Sequence, residues 1–412
     1  MKKKNKILST LLFGSLIAPC IFMMSACAET PLEHKAVTEW SIDETYHWHA
    51  CTVEDCKDTY DKGEHTYDQT TNLCKCGKAK AGSVAIIDGT AVETLTSDAV
   101  KNKTVTLLAD YKPETAIELD GTTIEAVPTE TGIVLKAVVK SGNVTLENIN
   151  TKEITVDDNF AGSLVFDGGY LEAKNNSTYA FLRGYEGKQA DYTFKDMKVS
   201  TGTEKGIKIQ RAKSITIDKC IFDGTNLSTT TNNDIDQTRS LSAIDITLEG
   251  TNDSGFAKTN ITITNCIFKN IKYGVDGDGN ETTHLDTAGA IKIKNQMTGN
   301  GGIGKVTITG NTFTNVCRDI VIGKAKDGYF DYQERTWTTD DSEAWTVKNN
   351  TSTFTTETVK NVEVKTGVAE KTKIGKMQGG CAIFDIGDAY PLQATGETET
   401  TTTYPYSVQF AE

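Results

Sequence analysis

Proline is scarce in this sequence: 6 of its 412 residues, against 35 glycines. Long amphipathic patterns of helical period are missing too. With abundant threonine, asparagine and valine, that balance favours an all-β chain with many turns. Basic charge is also in short supply, because 43 Lys and Arg face 56 Asp and Glu, for a formal net charge of −13. Nucleic acid needs concentrated Lys and Arg to meet its phosphates, so the balance argues against that class of partner. It suits a solvated acidic surface or a cation-binding one. Past the first thirty residues or so, no apolar run is long enough to cross a membrane.

The apolar run that does exist lies at the very start. Lys2, Lys3, Lys4 and Lys6 form a basic region, and "ILSTLLFGSLIAPCIFMM" follows as the apolar stretch of an export signal. It ends in "MSAC", Met24 to Cys27, which resembles the lipobox of bacterial lipoproteins. The resemblance implies that residues 1–27 are a lipoprotein signal, that the Cys27 thiol carries lipid, and that the protein is extracellular, anchored to the bacterial membrane or cell surface. Ala26-Cys27-Ala28 is equally an A-x-A site for ordinary cleavage after Ala28.

Ten cysteines divide by position. Cys20 leaves with the signal, Cys51, Cys56, Cys74 and Cys76 cluster, and Cys220, Cys266, Cys317 and Cys381 stand far apart, as buried small apolar residues would. Residues 28–80 also hold four of the five histidines, three of them in "YHWHACTVEDC" and "HTYDQTTNLCKCG". These pieces resemble the small Cys/His-rich modules of bacterial surface proteins. So short a segment needs a staple to fold. Zinc held by Cys51, Cys56, Cys74 and Cys76, with His65 able to replace one of them, is one choice. Two disulfides among the same cysteines, in any of three pairings, are the other.

The main body repeats a phrase. "VTLENI", "LVFDGG", "YTFKDM", "ITIDKC", "ITITNC", "VTITGN" and "WTVKNN" align on Asn148, Gly168, Asp196, Lys219, Asn265, Gly310 and Asn349. Six of these seven are Asn, Gly or Asp, the types that enter the left-handed backbone region most cheaply. The phrase therefore reads as a strand, a bend and a second strand, with apolar residues at every other position facing inward. "GIKIQ", "AIDIT", "AIKIK" and "DIVIG" supply third strands. The bend residues recur after 20, 28, 23, 46, 45 and 39 positions, so the larger steps carry long loops or a hidden extra repeat.

Three short strands per repeat, each burying its inner face only against its neighbours, make one rung of a parallel β-helix. Over residues 81–390 the pattern resembles the right-handed, single-stranded parallel β-helix of the pectate lyase-like (pectin lyase fold) superfamily. A helix near Glu93 to Lys101 matches that fold's N-terminal helical cap, and residues 391–412 are left as a C-terminal tail or cap. Cys220, Cys266, Asn311 and Asn350 fall in one inward column, where the amides would bond up and down the stack.

The third strands place Lys208, Asp245 and Lys292 outward in one column, with charges alternating about 4.8 Å apart. That column is either a salt-bridge ladder or a recognition strip for an acidic sugar. Flanking loops add Asp234, Asp236, Arg239, Glu281, His284 and Asp286. Asp276, Asp278 and Asn280 alternate as oxygen ligands of calcium do, although Glu281 stands where a calcium loop needs Gly. Asn-Thr-Asp, Gly-His-Gly and Arg-Ile-Lys, the hydrolase signatures of the superfamily, are missing, as are the Trp- and Arg-rich signatures of its lyases. The expectation is therefore a surface protein, adhesin-like, that binds glycan or another ligand through Lys208, Asp245, Lys292, Asp234, Asp236 and His284. The alternative is a polysaccharide lyase or glycoside hydrolase on acidic glycans, with Lys292, Arg239 or Asp245 as catalytic candidates.

Overall fold

A computed structural model describes residues 34–173, 179–200, 205–224, 242–251, 256–271, 290–298, 303–314 and shorter stretches between 316 and 409. Two compact units divide the chain, Met1–His65 and Thr66–Glu412.

In the first unit the strands Ala36–Ile42, Tyr46–Cys51 and Thr59–Glu64 form an antiparallel sheet. The second unit is dominated by three large sheets, of thirteen, nine and seven strands among the described residues, whose successive members pair in parallel except at the ends. This arrangement is compatible with a parallel β-helix. Each aligned phrase places its first strand in the thirteen-stranded sheet and its second in the nine-stranded one; "GIKIQ", "AIDIT", "AIKIK" and "DIVIG" lie in the seven-stranded one.

The bends are where the sequence puts them. Asn148, Asp196, Lys219, Asn265 and Asn349 have φ of 52–56°, and Gly168 and Gly310 have φ of 70° and 69°. Lys219 takes the same left-handed conformation although its residue type does not favour it. Stacking explains the glycines: a Cβ on Gly310 would stand 2.7 Å from Asn265 Oδ1, and one on Gly168 would stand 2.7 Å from Asn148 Oδ1.

Pairing settles the long steps. Ser214–Asp218 pairs directly with Thr259–Thr264, which pairs with Ile303–Thr309, which pairs with Ala344–Lys348. No hidden repeat separates these strands; the extra residues are insertions within single rungs.

Inward positions stack on like neighbours. The rings of Phe222, Phe268 and Phe313 lie parallel, with centroids 4.8 and 4.9 Å apart. Ile207, Ile209, Ile244, Ile246, Ile291 and Ile293 are fully buried. The amide column forms as expected. Asn311 Oδ1 accepts from Cys266 N at 2.9 Å and Asn350 Oδ1 from Asn311 N at 3.0 Å, while Asn311 Nδ2 and Asn350 Nδ2 donate to Ile263 O and Ile308 O.

Two features differ from the sequence reading. The expected helix shrinks to a single turn, Ser97–Val100, capped by Thr96, whose hydroxyl accepts from Ala99 N. At the other end the C-terminal segment supplies strands. Ala389–Pro391, Thr400–Thr403 and Ser407–Gln409 run antiparallel to the last parallel strands of the seven-, nine- and thirteen-stranded sheets respectively.

Candidate metal centre and charged cluster

In the first unit, strand register creates a site that spacing along the chain does not reveal. Ala36 pairs with Cys51, and Thr52 N bonds Lys35 O at 2.8 Å, so His34 arrives beside the Cys51 side chain. A tight turn follows, with Cys56 N bonded to Val53 O and Asp55 at φ 60°, and it carries Cys56 back to the same place. His34 Nδ1 lies 3.0 Å from Cys56 Sγ, 3.4 Å from Cys51 Sγ and 3.5 Å from an Asp58 carboxylate oxygen. Donors of a tetrahedral zinc site, at bond lengths of about 2.0–2.3 Å, sit roughly 3.3–3.8 Å apart. His34, Cys51 and Cys56 thus form a group that could hold a metal ion. The Cys56 thiol is pushed up from its ordinary range, first by its hydrogen bond with Cys51 and then by burial. A metal would have to displace that proton.

Other donors belong to each unit separately. In the first, His47 Nδ1 and His65 Nδ1 lie 3.4 Å apart, His47 is buried, and His65 Nε2 is 3.1 Å from Asp43 O. Trp40 packs on His49 at 3.8 Å between centroids and edge-on to His47. At the start of the second unit, Gly77 N bonds Cys74 O and Cys74 N bonds Lys78 O, folding "CKCGK" tightly with Gly77 at φ 86°. Cys74 and Cys76 are thereby brought side by side, and burial, with the neighbouring Cys74, raises the Cys76 thiol. All four are candidate metal ligands. His34, Asp58 and His47 were not among the residues the sequence singled out; the local richness in His was the one signal that pointed there.

In the second unit the expected column of charges exists. Lys208 pairs with Asp245 and Asp245 with Lys292 across neighbouring strands of the seven-stranded sheet. The column was expected to face outward, as a salt-bridge ladder or a recognition strip, but Asp245 is only 2% exposed. Its Oδ2 lies 3.7 Å from Lys205 Nζ and 3.8 Å from Lys292 Nζ, and its Oδ1 accepts from Thr247 Oγ1 at 2.5 Å. Burial alone would raise this carboxyl. Lys292, Lys205 and Thr247 outweigh burial and hold it below the ordinary carboxylate range. Lys205, which the sequence did not single out, enters because it begins its strand across from Tyr179. The Tyr179 ring carries Lys208 Nζ at 5.2 Å and Lys205 Nζ at 5.6 Å from its centroid. Lys208 and Tyr179 are only partly buried and the neighbouring Leu182 is exposed, so the accessible rim combines a cation, an aromatic ring and an apolar side chain.

Cys27, Asp234, Asp236, Arg239, Asp276, Asp278, Asn280, Glu281, His284 and Asp286 lie outside the described residues. No family model, curated protein or solved structure matches the chain.

Proposed function

We propose that the protein is an exported surface protein, lipid-anchored at Cys27, in which a right-handed parallel β-helix presents a binding face for an acidic glycan. The observation that carries this reading is the rim of Lys208, Tyr179 and Leu182, set beside the buried Lys205–Asp245–Lys292 cluster. An aromatic face suits a sugar ring, and ammonium groups suit uronate carboxylates through charge-assisted hydrogen bonds. Asp245 supports the reading as an internal anchor that orders two of the lysines.

The test is binding of the mature chain to a panel of uronic-acid polysaccharides. Lys208→Ala and Tyr179→Ala are each expected to weaken binding about tenfold, roughly 1.4 kcal/mol. Unchanged affinity in both variants, or no affinity for any uronate polymer, overturns the proposal. Ultraviolet absorbance of unsaturated product is followed in the same samples with Ca2+ present. Turnover that disappears in Lys292→Ala would replace this reading with the lyase alternative.

For the N-terminal module we propose zinc, with His34, Cys51 and Cys56 as ligands and Asp58 as an oxygen donor. The donor chemistry supports it, since two thiols and an imidazole form a characteristic zinc set. Elemental analysis of the full chain is expected to find zinc, and Cys51→Ser to lose one equivalent. Full retention of metal in Cys51→Ser would exclude this site. The ligands must shed protons to bind, so zinc occupancy is expected to fall as pH drops from 7 to 5.

A further inference from the structure

Cys220 and Cys266 occupy the same position of consecutive rungs. Asp218 pairs with Thr264 before them and Ile221 with Ile267 after them, and Lys219 and Asn265, the residues immediately preceding, are both left-handed bends. The two backbones are bonded at this point, Ile267 N donating to Cys220 O at 2.9 Å. Both side chains point inward, at 0% and 1% exposure. Cys266 Sγ lies 3.7 Å from Ile217 O, in the preceding rung, and the two thiols sit over equivalent carbonyls of their own rungs, Cys220 Sγ 3.4 Å from Asp218 O and Cys266 Sγ 3.2 Å from Thr264 O. Neighbouring parallel strands are about 4.8 Å apart, and disulfides span Cα separations of about 4.4–6.8 Å.

We infer that Cys220 and Cys266 form an inter-rung disulfide when the protein folds in an oxidising compartment. This rests on the export reading above. Other inward neighbours in the stack meet by packing or, at Asn311 and Asn350, by hydrogen bonds; here the two side chains can become one covalent link, clamping the rungs on either side of the insertion that precedes Ser242. The step balances simply. Two thiols lose two protons and two electrons and one S–S bond forms, while the disulfide of an oxidising thiol-disulfide exchange partner accepts the electrons and leaves as two thiols. Because both sulfurs are buried in the finished stack, the bond closes while the rungs assemble.

The experiment is peptide mapping without reductant, on full-length chain alkylated under denaturing conditions. One sample is the exported protein; the other is refolded in a mixed reduced and oxidised glutathione buffer, whose oxidant does not depend on export. A linked Cys220–Cys266 peptide in both is the expected result. Linkage in the buffer alone upholds the geometry and overturns the export reading on which the in-cell claim rests. Both cysteines alkylated in the glutathione sample overturns the inference. As a second readout, Tm of the linked protein is expected to fall by roughly 5–10 °C on full reduction. The Cys220→Ser variant should show no such fall, and an equal fall in that variant would assign the effect to other cysteines and overturn the inference.

Discussion

Lys219 shows how a stacked backbone dictates residue types and what happens when one does not comply. Its φ of 52° matches that of Asp196 and Asn265, and its amide bonds Thr264 O at 3.0 Å as the other bend amides bond their next rungs. An L-residue with a long side chain pays about 1 kcal/mol or more to sit there, and Asn pays less. Lys219→Asn is therefore expected to raise stability by about 0.5–1 kcal/mol in urea unfolding; a drop would mean that the lysine side chain contributes more than its backbone costs. Gly310→Ala should act in the opposite sense, by more than about 1 kcal/mol, because a Cβ would be strained at φ 69° and would meet Asn265 Oδ1 at 2.7 Å. Bends were legible in the sequence for this reason: a left-handed position restricts the residue type strongly enough to show in a single chain. The inward amides were legible too, since a polar residue in an apolar column must be bonded along the stack. Asn311→Ala removes an acceptor for Cys266 N and is expected to cost roughly 1–3 kcal/mol.

Among elements, the strands at residues 205–209, 242–251 and 291–298 carry the clearest electrostatic consequence. Asp245 has a folded-state pKa below its ordinary value, so its contribution to stability is complete above about pH 4 and is lost as pH falls through the depressed folded value. The wild type is thus expected to lose stability steeply below about pH 4. Asp245→Asn should lose roughly 3 kcal/mol at pH 7, where Lys205 and Lys292 are left without their shared anion, and should show a flatter acid limb. Urea unfolding at pH 7 and pH 3 measures both, and parallel acid limbs would remove Asp245 from the account. The register that aligns Lys208, Asp245 and Lys292 could be read from the alternation of inward Ile. The burial of Asp245 could not, because it depends on whatever covers the outer surface of the strands, and alternation describes one sheet at a time. His34 went unnoticed for a related reason: antiparallel pairing of Ala36 with Cys51 is set by turn geometry, which leaves only a weak mark on the sequence.

At the scale of the whole molecule, a stack of parallel strands ends in rows of unpaired amides and carbonyls, and such edges recruit other chains unless something covers them. At the beginning of the thirteen-stranded sheet, Ala85–Ile87 and Thr90–Val92 form a hairpin whose first strand runs antiparallel to Thr104–Leu107. At the far end a few short segments after residue 388 supply an antiparallel partner to each of the three large sheets. A reversal of strand direction stops the repeat, because the next parallel rung has no matching register to add to. The sequence reading left this segment as a tail or cap, since Thr-rich stretches such as "TETTTTY" lack the strand-bend-strand phrase and carry no inward alternation. Ending the chain at residue 388 should therefore uncover three edges at once while leaving the parallel rungs intact. The truncated chain is expected to keep its β-type circular dichroism but to elute as dimers and larger species in size-exclusion chromatography, with association increasing with protein concentration. In a repeat architecture the loss should also be local, lowering the stability of the last rungs far more than that of the first, which hydrogen exchange resolves rung by rung. A truncated chain that stays monomeric with unchanged exchange near Thr351–Phe354 would show that these strands do not close the stack.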